Sequence, residues 1–244
     1  MQSQRPGTGN LFLDNLPAPA FERLRPALTP ISLESYQPVD DDGMPVERVL
    51  FPLRSMISIV LDMADGSTAE VGVVGREGMT GLAVVLGQTT ASQRSLVQIP
   101  DGAQCLPIED FRAALEHEPE LRAFSLRYAQ AVLGVSARLS ACNALHPTNE
   151  RCARWLLMAH DRVRRKRIRL TQEFLGDMLG VRRASIALAA AALQSAGFIT
   201  YTRGLITILD RAGLESASCE CYESMEREWE STMGYSLRSS LSAD

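Results

Sequence analysis

The stretch that decides the fold is residues 170–209, which read LTQEFLGDMLGVRRASIALAAAALQSAGFITYTRGLITIL. Thr171 can cap the start of a first helix, and Gly180 can end it because glycine tolerates a left-handed backbone. A second helix is predicted from there to Gly197, with apolar residues recurring every three or four positions. Two short strands, ITYT and LITIL, then flank a turn at Arg203-Gly204. This order of elements predicts a winged helix-turn-helix.

The first turn of the second helix carries candidate DNA-reading side chains. In helix-turn-helix proteins this part of the helix meets base edges in the major groove, where arginine is the commonest reader of guanine. The residues predicted to contact DNA are Thr171, Gln172, Arg182, Arg183, Ser185 and Arg203. A solvated helix start without a partner is the alternative interpretation of the two adjacent arginines.

The distribution of charge along the chain supports a DNA partner, although the net charge is −4. Residues 146–215 hold 12 Lys and Arg against 6 Asp and Glu, whereas residues 1–145 hold 11 against 17. The positive excess therefore coincides with the predicted helix-turn-helix, as expected for a module that displaces counterions from phosphates. The densest run is RVRRKRIR at residues 162–169. We predict that this run sets the salt dependence of binding, and a solvated linker is the alternative interpretation.

The composition is that of an ordinary globular protein, with 45% hydrophobic residues in a chain of 244. The apolar runs are too short to cross a bilayer, and the N-terminal MQSQRPGTGN lacks the apolar core of a secretory signal. The five cysteines are an odd number and show no spacing typical of a disulfide framework. We therefore expect a cytoplasmic protein with no membrane partner.

Residues 1–117 are predicted to form a β-rich domain. The runs SMISIVLDM and TAEVGVVG lie on either side of Asp65-Gly66, which predicts a hairpin. Closely spaced short strands with Gly and Pro turns favour a jelly-roll barrel. The run GREGMTGLAVVLGQ is not a dinucleotide-binding fingerprint, because no βαβ unit surrounds it.

Residues 118–145 are predicted to form one long helix. Its apolar stripe has the alternating spacing of four and three that is typical of a coiled coil, which predicts a dimerisation helix. Packing of this stripe onto the chain's own β domain is the alternative. The predicted dimer-interface residues are Leu121, Tyr128, Val132, Val135 and Leu139.

The acidic segment 216–244 follows the winged domain, which is predicted to occupy residues 146–215. Within it, four large side chains recur at helical spacing before Gly234, which predicts an amphipathic helix. These residues are Tyr222, Met225, Trp229 and Met233. The sequence leaves open whether this helix packs on the winged domain or on the β domain.

Three segments resemble the Crp–Fnr family of transcription regulators. LTQEFLGDMLGVRRASI is similar to the family's DNA-reading element, EDFRAALEHEPEL to the segment before its dimer helix, and VGREGMTGLAVVLG to its effector-loop region. The resemblance implies an α+β fold, with an N-terminal β jelly-roll like a cyclic-nucleotide-binding domain, a long dimerisation helix and a C-terminal winged helix-turn-helix. It also implies a homodimeric regulator that reads palindromic double-stranded DNA, with RNA polymerase as a further partner if it activates transcription.

The resemblance further implies an effector site in the β domain. The candidate effector-binding residues are Gly81, Leu82, Arg94, Ser95 and Ser136. Members that bind cyclic AMP carry an acidic residue at the position of Leu82, where it accepts a hydrogen bond from the ribose. A hydroxyl left unpaired there would cost about 1–3 kcal/mol, so binding of cyclic AMP through the usual contacts is not expected. At the DNA end, Ala184 and Leu188 also depart from the family's pattern, whereas Arg183 keeps the guanine-reading arginine.

No metal or cofactor is predicted. The first cysteine is Cys105, so the N-terminal cysteine cluster of the family's oxygen sensors is absent, and the three histidines show no pairing typical of haem ligands. Cys219 and Cys221 are closer together than in a zinc knuckle, and they lack a second pair in the sequence. We expect these two cysteines to be unmodified and to bind no metal, with redox sensing as the alternative.

Two other classes of protein differ from a DNA-binding regulator in what their sequences should contain. A nucleotide-binding signalling adaptor whose C-terminal domain binds protein is the alternative to a DNA-binding regulator. An enzyme is not expected, because the chain has no Gly-x-Ser-x-Gly, His-Glu-x-x-His, P-loop or paired catalytic carboxylates.

Overall fold

The computed structural model describes residues 7–238. Its N-terminal domain is a sandwich of two antiparallel sheets with strand orders β1-β7-β3 and β2-β6-β4-β5. The strands are β1 (Thr29–Ser32), β2 (Pro38–Asp40), β3 (Arg48–Pro52), β4 (Met56–Asp62), β5 (Thr68–Val74), β6 (Arg94–Ile99) and β7 (Gly102–Pro107). The short helices of this domain are α1 (Leu11–Asp14), α2 (Ala18–Leu24), a 3₁₀ turn (Arg25–Ala27) and α3 (Leu82–Val85). The predicted jelly-roll-like β domain is thus confirmed.

The predicted hairpin joins β4 and β5. Gly66 has a φ of 83°, which an L side chain rarely adopts, and Asp65 accepts hydrogen bonds from the backbone and hydroxyl of Ser67. Next to this turn Asp62 of β4 lies opposite Thr68 of β5, and the two strands pair antiparallel from there. The turn predicted at Asp65-Gly66 is therefore present.

Two helices follow the sandwich, α4 (Ile108–His117) and the long α5 (Pro119–Leu145). Tyr128 of α5 is buried against the loop after β5, where its hydroxyl donates to the Met79 carbonyl at 2.9 Å. A Cβ at Gly78 would collide with the Tyr128 ring, and one at Gly75 would lie 2.6 Å from Cγ of Arg162. Close packing therefore requires both glycines of this loop.

The predicted dimer stripe of α5 is wrong for three of its five residues. Leu121, Tyr128 and Leu139 are no more than 8% exposed because they pack inside their own chain, which is the alternative interpretation of the stripe. Val132 and Val135 are partly buried and line a cavity in the β domain. The exposed face carries a second, mostly apolar stripe with the same alternating spacing. This second stripe is Ala123, Leu126, Gln130, Leu133, Ala137, Ser140 and Ala144.

The C-terminal domain begins with α6 (Thr148–Val163) and contains the predicted winged helix-turn-helix. Its three-stranded sheet has the order β8-β10-β9, and its core includes Leu156, Leu175, Ile186 and Ile206. The remaining elements are β8 (Arg167–Arg169), α7 (Gln172–Leu179), α8 (Arg183–Ser195), β9 (Ile199–Thr202), β10 (Leu205–Ile208), α9 (Arg211–Ser216) and α10 (Cys221–Met233).

Helix α10 is the predicted amphipathic helix of the acidic segment. Tyr222 and Met225 join the core of the C-terminal domain, whereas Trp229 and Met233 join the core of the β domain. Gly234 ends the helix in a left-handed conformation. The helix therefore packs on both domains, and residues 239–244 of the predicted segment lie outside the described residues.

Contacts between the domains include a buried ion pair. Arg162 of α6 donates from Nε to Oε1 of Glu77 at 2.8 Å, and both side chains are at most 6% exposed. Arg165 pairs with Asp101 of the β domain. These two arginines belong to the basic run 162–169. Arg162 is therefore not free to contact phosphates, and Arg165 already has an acidic partner.

A carboxyl group also lies at this domain interface. Trp155 Nε1 donates to Oε1 of Glu70 at 3.0 Å, and Oγ of Ser58 lies 2.7 Å from Oε2 of Glu70 and 2.8 Å from Oε1 of Gln98. One hydroxyl proton cannot serve both neighbours, and a protonated Glu70 that donates to Ser58 would supply the second proton. Burial raises the pKa of Glu70 to about 7.

We expect Glu70→Gln to make the protein more stable at pH 8 by about 1–3 kcal/mol. Between pH 4.5 and 7 the folded protein retains a proton on Glu70 that the unfolded chain has lost, so the wild-type stability falls as the pH rises through this range. The variant cannot ionise and removes this loss. Urea unfolding at pH 5.5 and pH 8 measures the effect, with the exposed Glu116→Gln as the control. Identical pH profiles for Glu70→Gln and wild type would contradict the assignment.

Candidate nucleic-acid interface and effector cavity

The helix-turn-helix is built from local capping and one close approach. The Thr171 hydroxyl accepts from the Phe174 amide at 3.1 Å and caps α7. Gly180 ends α7 with a φ of 61°, and a Cβ at Gly176 would lie 2.9 Å from the carbonyl oxygen of Val181. Both glycines therefore permit the tight turn that sets α8 against α7.

Four of the six predicted DNA-contacting residues line one open cleft of about 460 Å³. These are Thr171, Gln172, Arg183 and Arg203. Of the other two, Arg182 is the exposed residue that precedes α8, and Ser185 is half-buried in its first turn. The cleft therefore joins the start of α7, the start of α8 and the wing tip, as DNA docking by a winged helix requires.

Three further residues line this cleft that were not predicted to contact DNA: Glu173, Tyr201 and Gly204. The Tyr201 hydroxyl donates to the Leu170 carbonyl at 2.8 Å, which fixes β9 against the start of α7. Burial raises the pKa of Tyr201 to about 12, so this hydroxyl stays protonated at neutral pH. Tyr201 reaches the cleft because β9 packs beside α7. The sequence does not show that packing.

The exposed residues of α8 between Arg183 and Gln194 are all apolar. Ala184 and Ala191 are exposed, and Leu188 is 74% exposed. A leucine in a major groove can contact the methyl group of thymine but cannot hydrogen bond to a base. Polar reading from α8 is therefore concentrated at its first turn.

The β domain encloses a cavity of about 250 Å³ against α5. Gly81, Leu82, Ser95 and Ser136 line it, so four of the five predicted effector residues are brought together. Arg94 does not line it, because its guanidinium is held on the outer face of the sheet by Asp62. Arg94 is therefore the one predicted effector residue that the structure does not bring to this cavity.

The position of Arg94 follows from the alternation of side chains along β6. Its neighbour Ser95 faces the cavity, whereas Arg94 makes two hydrogen bonds of 2.7 Å to the carboxylate of Asp62. These bonds lower the pKa of Asp62 to about 2, so the pair remains charged above that pH. The guanidinium of Arg94 is therefore already paired with Asp62.

The polar groups in the cavity are poorly suited to an anionic ligand. Asp40 lies in its wall, where the Ser95 hydroxyl donates to it at 2.9 Å and burial raises its pKa. Arg162 also reaches the wall, but it is already paired with Glu77. A cyclic phosphate would therefore meet a carboxyl group and an arginine that is already neutralised.

A separate cluster of ligating side chains lies where the end of α5 meets the N-terminal end of α10. The ligand atoms of Cys142, His146, Cys219 and Cys221 all lie within 4.8 Å of one another. A hydrogen bond from Cys219 lowers the pKa of the Cys142 thiol. In the sequence, Cys219 and Cys221 have no second pair of metal-binding residues nearby. In the fold, Cys142 and His146 at the end of α5 form that second pair.

No helix within residues 7–238 is both long enough and apolar enough to pass through a membrane.

Sequence comparison identifies one domain. The model of the Crp-like helix-turn-helix domain matches residues 150–217. This range contains the whole cleft and both arginines at the start of α8. No curated protein matches the chain.

Solved structures share the overall fold. A protein assigned to the crp/fnr family of transcriptional regulators from Eubacterium rectale is 14% identical, with a TM-score of 0.66 over 86% of this chain and 99% of that one. A CRP-family transcriptional regulator from Thermus thermophilus is 18% identical, with a TM-score of 0.63 over 85% and 98%. The c-di-GMP responsive global regulator CLP of Xanthomonas campestris is 15% identical, with a TM-score of 0.58 over 79% and 99%.

Proposed function

We propose that this chain, a DNA-binding transcription regulator by its Crp-like helix-turn-helix domain and its Crp–Fnr fold, acts as a homodimer on a palindromic site. Each protomer places the start of α8 in the major groove of one half-site. A small effector in the β-domain cavity modulates the placement of the two DNA-binding domains. A cytoplasmic location and a role without catalysis follow from this function, and RNA polymerase is a partner if the output is activation.

The observation that carries the proposal is the cleft at the start of α7 and α8. It groups Arg183 and Arg203 with the hydroxyl of Thr171 and the amide of Gln172. Side chains of these types bind phosphates and base edges, and their placement on two helix starts and a wing matches the docking geometry of this motif. The excess of positive charge in residues 146–215 adds a general attraction to DNA.

The second stripe of α5 supports the homodimer. Leu126 and Leu133 are 45% and 58% exposed, and the other members of the stripe are three alanines, one serine and Gln130. The small residues allow two such helices to approach closely while the leucines pack across the interface. An amide such as that of Gln130 in such a seam helps to fix the register. A two-fold axis along α5 would present the two copies of α8 to successive half-sites.

The cavity supports an effector that acts through the same helix. Val132 and Ser136 form part of its wall, and Leu133 belongs both to the wall and to the second stripe. A ligand there touches the inner face of α5 and one residue of the proposed dimer interface, so it can favour one arrangement of the two helices. One protein of the same fold responds to c-di-GMP. Asp40 in this wall favours instead a small, largely apolar ligand without phosphate groups.

Selection of random duplex DNA by the purified full-length protein tests the function. A recovered palindrome with half-sites about one helical turn apart supports the dimeric regulator. Absence of enrichment, both alone and with a pool of metabolites, would favour the signalling adaptor. Binding of the C-terminal domain to protein with no dependence on salt would favour the same alternative.

We expect Arg183→Ala to weaken binding to the selected site by about 5- to 150-fold, which corresponds to about 1–3 kcal/mol. The loss should relax the preference at one base pair in each half-site and leave binding to random DNA almost unchanged. Titration against the selected site and its single-base variants measures both effects. Arg227→Ala is the control, because this arginine is exposed on α10 away from the cleft. An equal loss of affinity for the selected site and for random DNA would show that Arg183 contacts only phosphates.

A further inference from the structure

The cluster at the end of α5 contains four side chains of the types that bind zinc. Cys142 and His146 are one helical turn apart at the end of α5, so they project from the same face. Cys219 and Cys221 approach them from the N-terminal end of α10. The Sγ atoms of Cys142 and Cys219 are 3.5 Å apart, and Sγ of Cys221 is 3.6 Å from Nδ1 of His146.

These distances fit ligands around a single ion. Zinc binds sulfur at about 2.3 Å and nitrogen at about 2.0–2.1 Å in a tetrahedron, which separates the ligand atoms by about 3.4–3.8 Å. An iron–sulfur cluster would hold its ligands around several irons and therefore farther apart. We propose that Cys142, His146, Cys219 and Cys221 bind one Zn²⁺ in a closed Cys₃His site.

A second interaction orients the histidine for this role. Nε2 of His146 lies 3.1 Å from Oε1 of Glu220, and the imidazole can donate its proton to that carboxylate. The lone pair of Nδ1 then points toward the sulfur atoms. This carboxylate–histidine arrangement is the usual outer support of a zinc-binding histidine.

Two buried arginines near the cluster favour an anion there. Arg151 and Arg154 are 6% and 2% exposed, and the Nε atom of each has no hydrogen-bond partner within residues 7–238. No ion pair of the described residues includes either arginine. Arg154 lies within electrostatic range of Cys142 and Cys219. Zinc with three thiolates carries a net charge of −1 and would compensate this buried positive charge.

The site would fix the junction between the two halves of the molecule. His146 lies at the break between α5 and α6, and Cys219 and Cys221 belong to the chain after the winged domain. Four protein ligands leave no open position for a substrate, so the role is structural. These four ligands would form the site whether or not the chain binds DNA.

Metal analysis of the full-length protein tests the site. We expect about one zinc per chain after gel filtration, and Co²⁺ in place of zinc should give the thiolate charge-transfer and visible bands of tetrahedral cobalt. Cys221→Ser should lose most of the bound zinc, whereas Cys105→Ser should retain it, because Cys105 lies on β7 away from the cluster. Glu220→Gln, at an exposed position, should fold normally and bind zinc about 10- to 100-fold more weakly.

Three results would overturn the proposal. Iron with inorganic sulfide in the purified protein would assign the cluster to an iron–sulfur centre. A mass lower by two hydrogen atoms, with Cys142 joined to Cys219, would assign it to a disulfide. Free thiols that take up neither Zn²⁺ nor Co²⁺ would show that the four side chains are only packed together.

Discussion

Replacement of Arg162 by alanine is expected to lower the free energy of unfolding by about 3–5 kcal/mol. The substitution leaves Glu77 as a buried carboxylate whose remaining bond is a 3.2 Å contact from the Gly75 amide. Removal of one partner from a buried ion pair costs this much because the other charge stays out of water without compensation. The stem of Arg162 also packs against Gly75, so the variant leaves a gap there.

Urea unfolding of wild type and variant measures this effect. Arg165→Ala is the matched control, since Arg165 also pairs with an acid of the β domain but is 43% exposed, and we expect its loss to cost less than about 1 kcal/mol. A double variant, Arg162→Met with Glu77→Gln, should recover much of the stability because it removes both charges. If Arg162→Ala costs no more than the control, the buried pair does not hold the domains together.

Leu126→Glu on the second stripe is expected to convert the proposed dimer into a monomer and to weaken operator binding by about 100-fold or more. Two glutamates would face each other across the axis, where like charges repel, and the apolar contact would be lost. Linked DNA-binding domains gain about 10²–10⁴ in affinity because the second half-site is bound at high effective concentration. Two separate monomers lose this gain.

Sedimentation velocity and titration of the selected DNA measure the two consequences. Met63→Glu is the control, because Met63 is 59% exposed on the β4–β5 hairpin, far in sequence from α5. Leu126 does not line the effector cavity, so the variant leaves that site intact. A Leu126→Glu protein that remains a dimer would remove the second stripe from the proposed interface.

The winged helix-turn-helix could be predicted because its signals are local. Thr171 as a cap, Gly180 as a stop and the turn at Arg203-Gly204 each act within a few residues, and each forms as expected. The apolar face of α10 ends at Gly234 for the same reason. Neighbouring residues determine these features.

The partner of each face of α5 could not be predicted. The helix carries two stripes with the same alternating spacing, one beginning at Leu121 and the other at Ala123. The first contains the bulkier residues, which the β domain buries, while the second combines two leucines with mostly small residues suited to close contact with another helix. Spacing alone does not distinguish the two.

Contacts between distant parts of the chain could not be predicted from the sequence either. Arg162 is in a basic run typical of a solvated segment, yet its partner Glu77 is 85 positions earlier. Cys142 and Cys219 are 77 positions apart, so the cluster forms only when α5 and the N-terminal end of α10 are brought together. Arg94 is an effector residue by resemblance alone, and the alternation of side chains along β6 turns it outward.

The glycines at positions 75 and 78 limit how this protein can diverge. Any larger residue at either position meets Arg162 or Tyr128, so selection for folding alone is sufficient to preserve both. The Gly-Arg-Glu-Gly sequence of this loop would then persist in descendants that had lost or exchanged their effector. If related proteins keep this sequence, the reason is the packing of the loop. Its presence would therefore not indicate which molecule they sense.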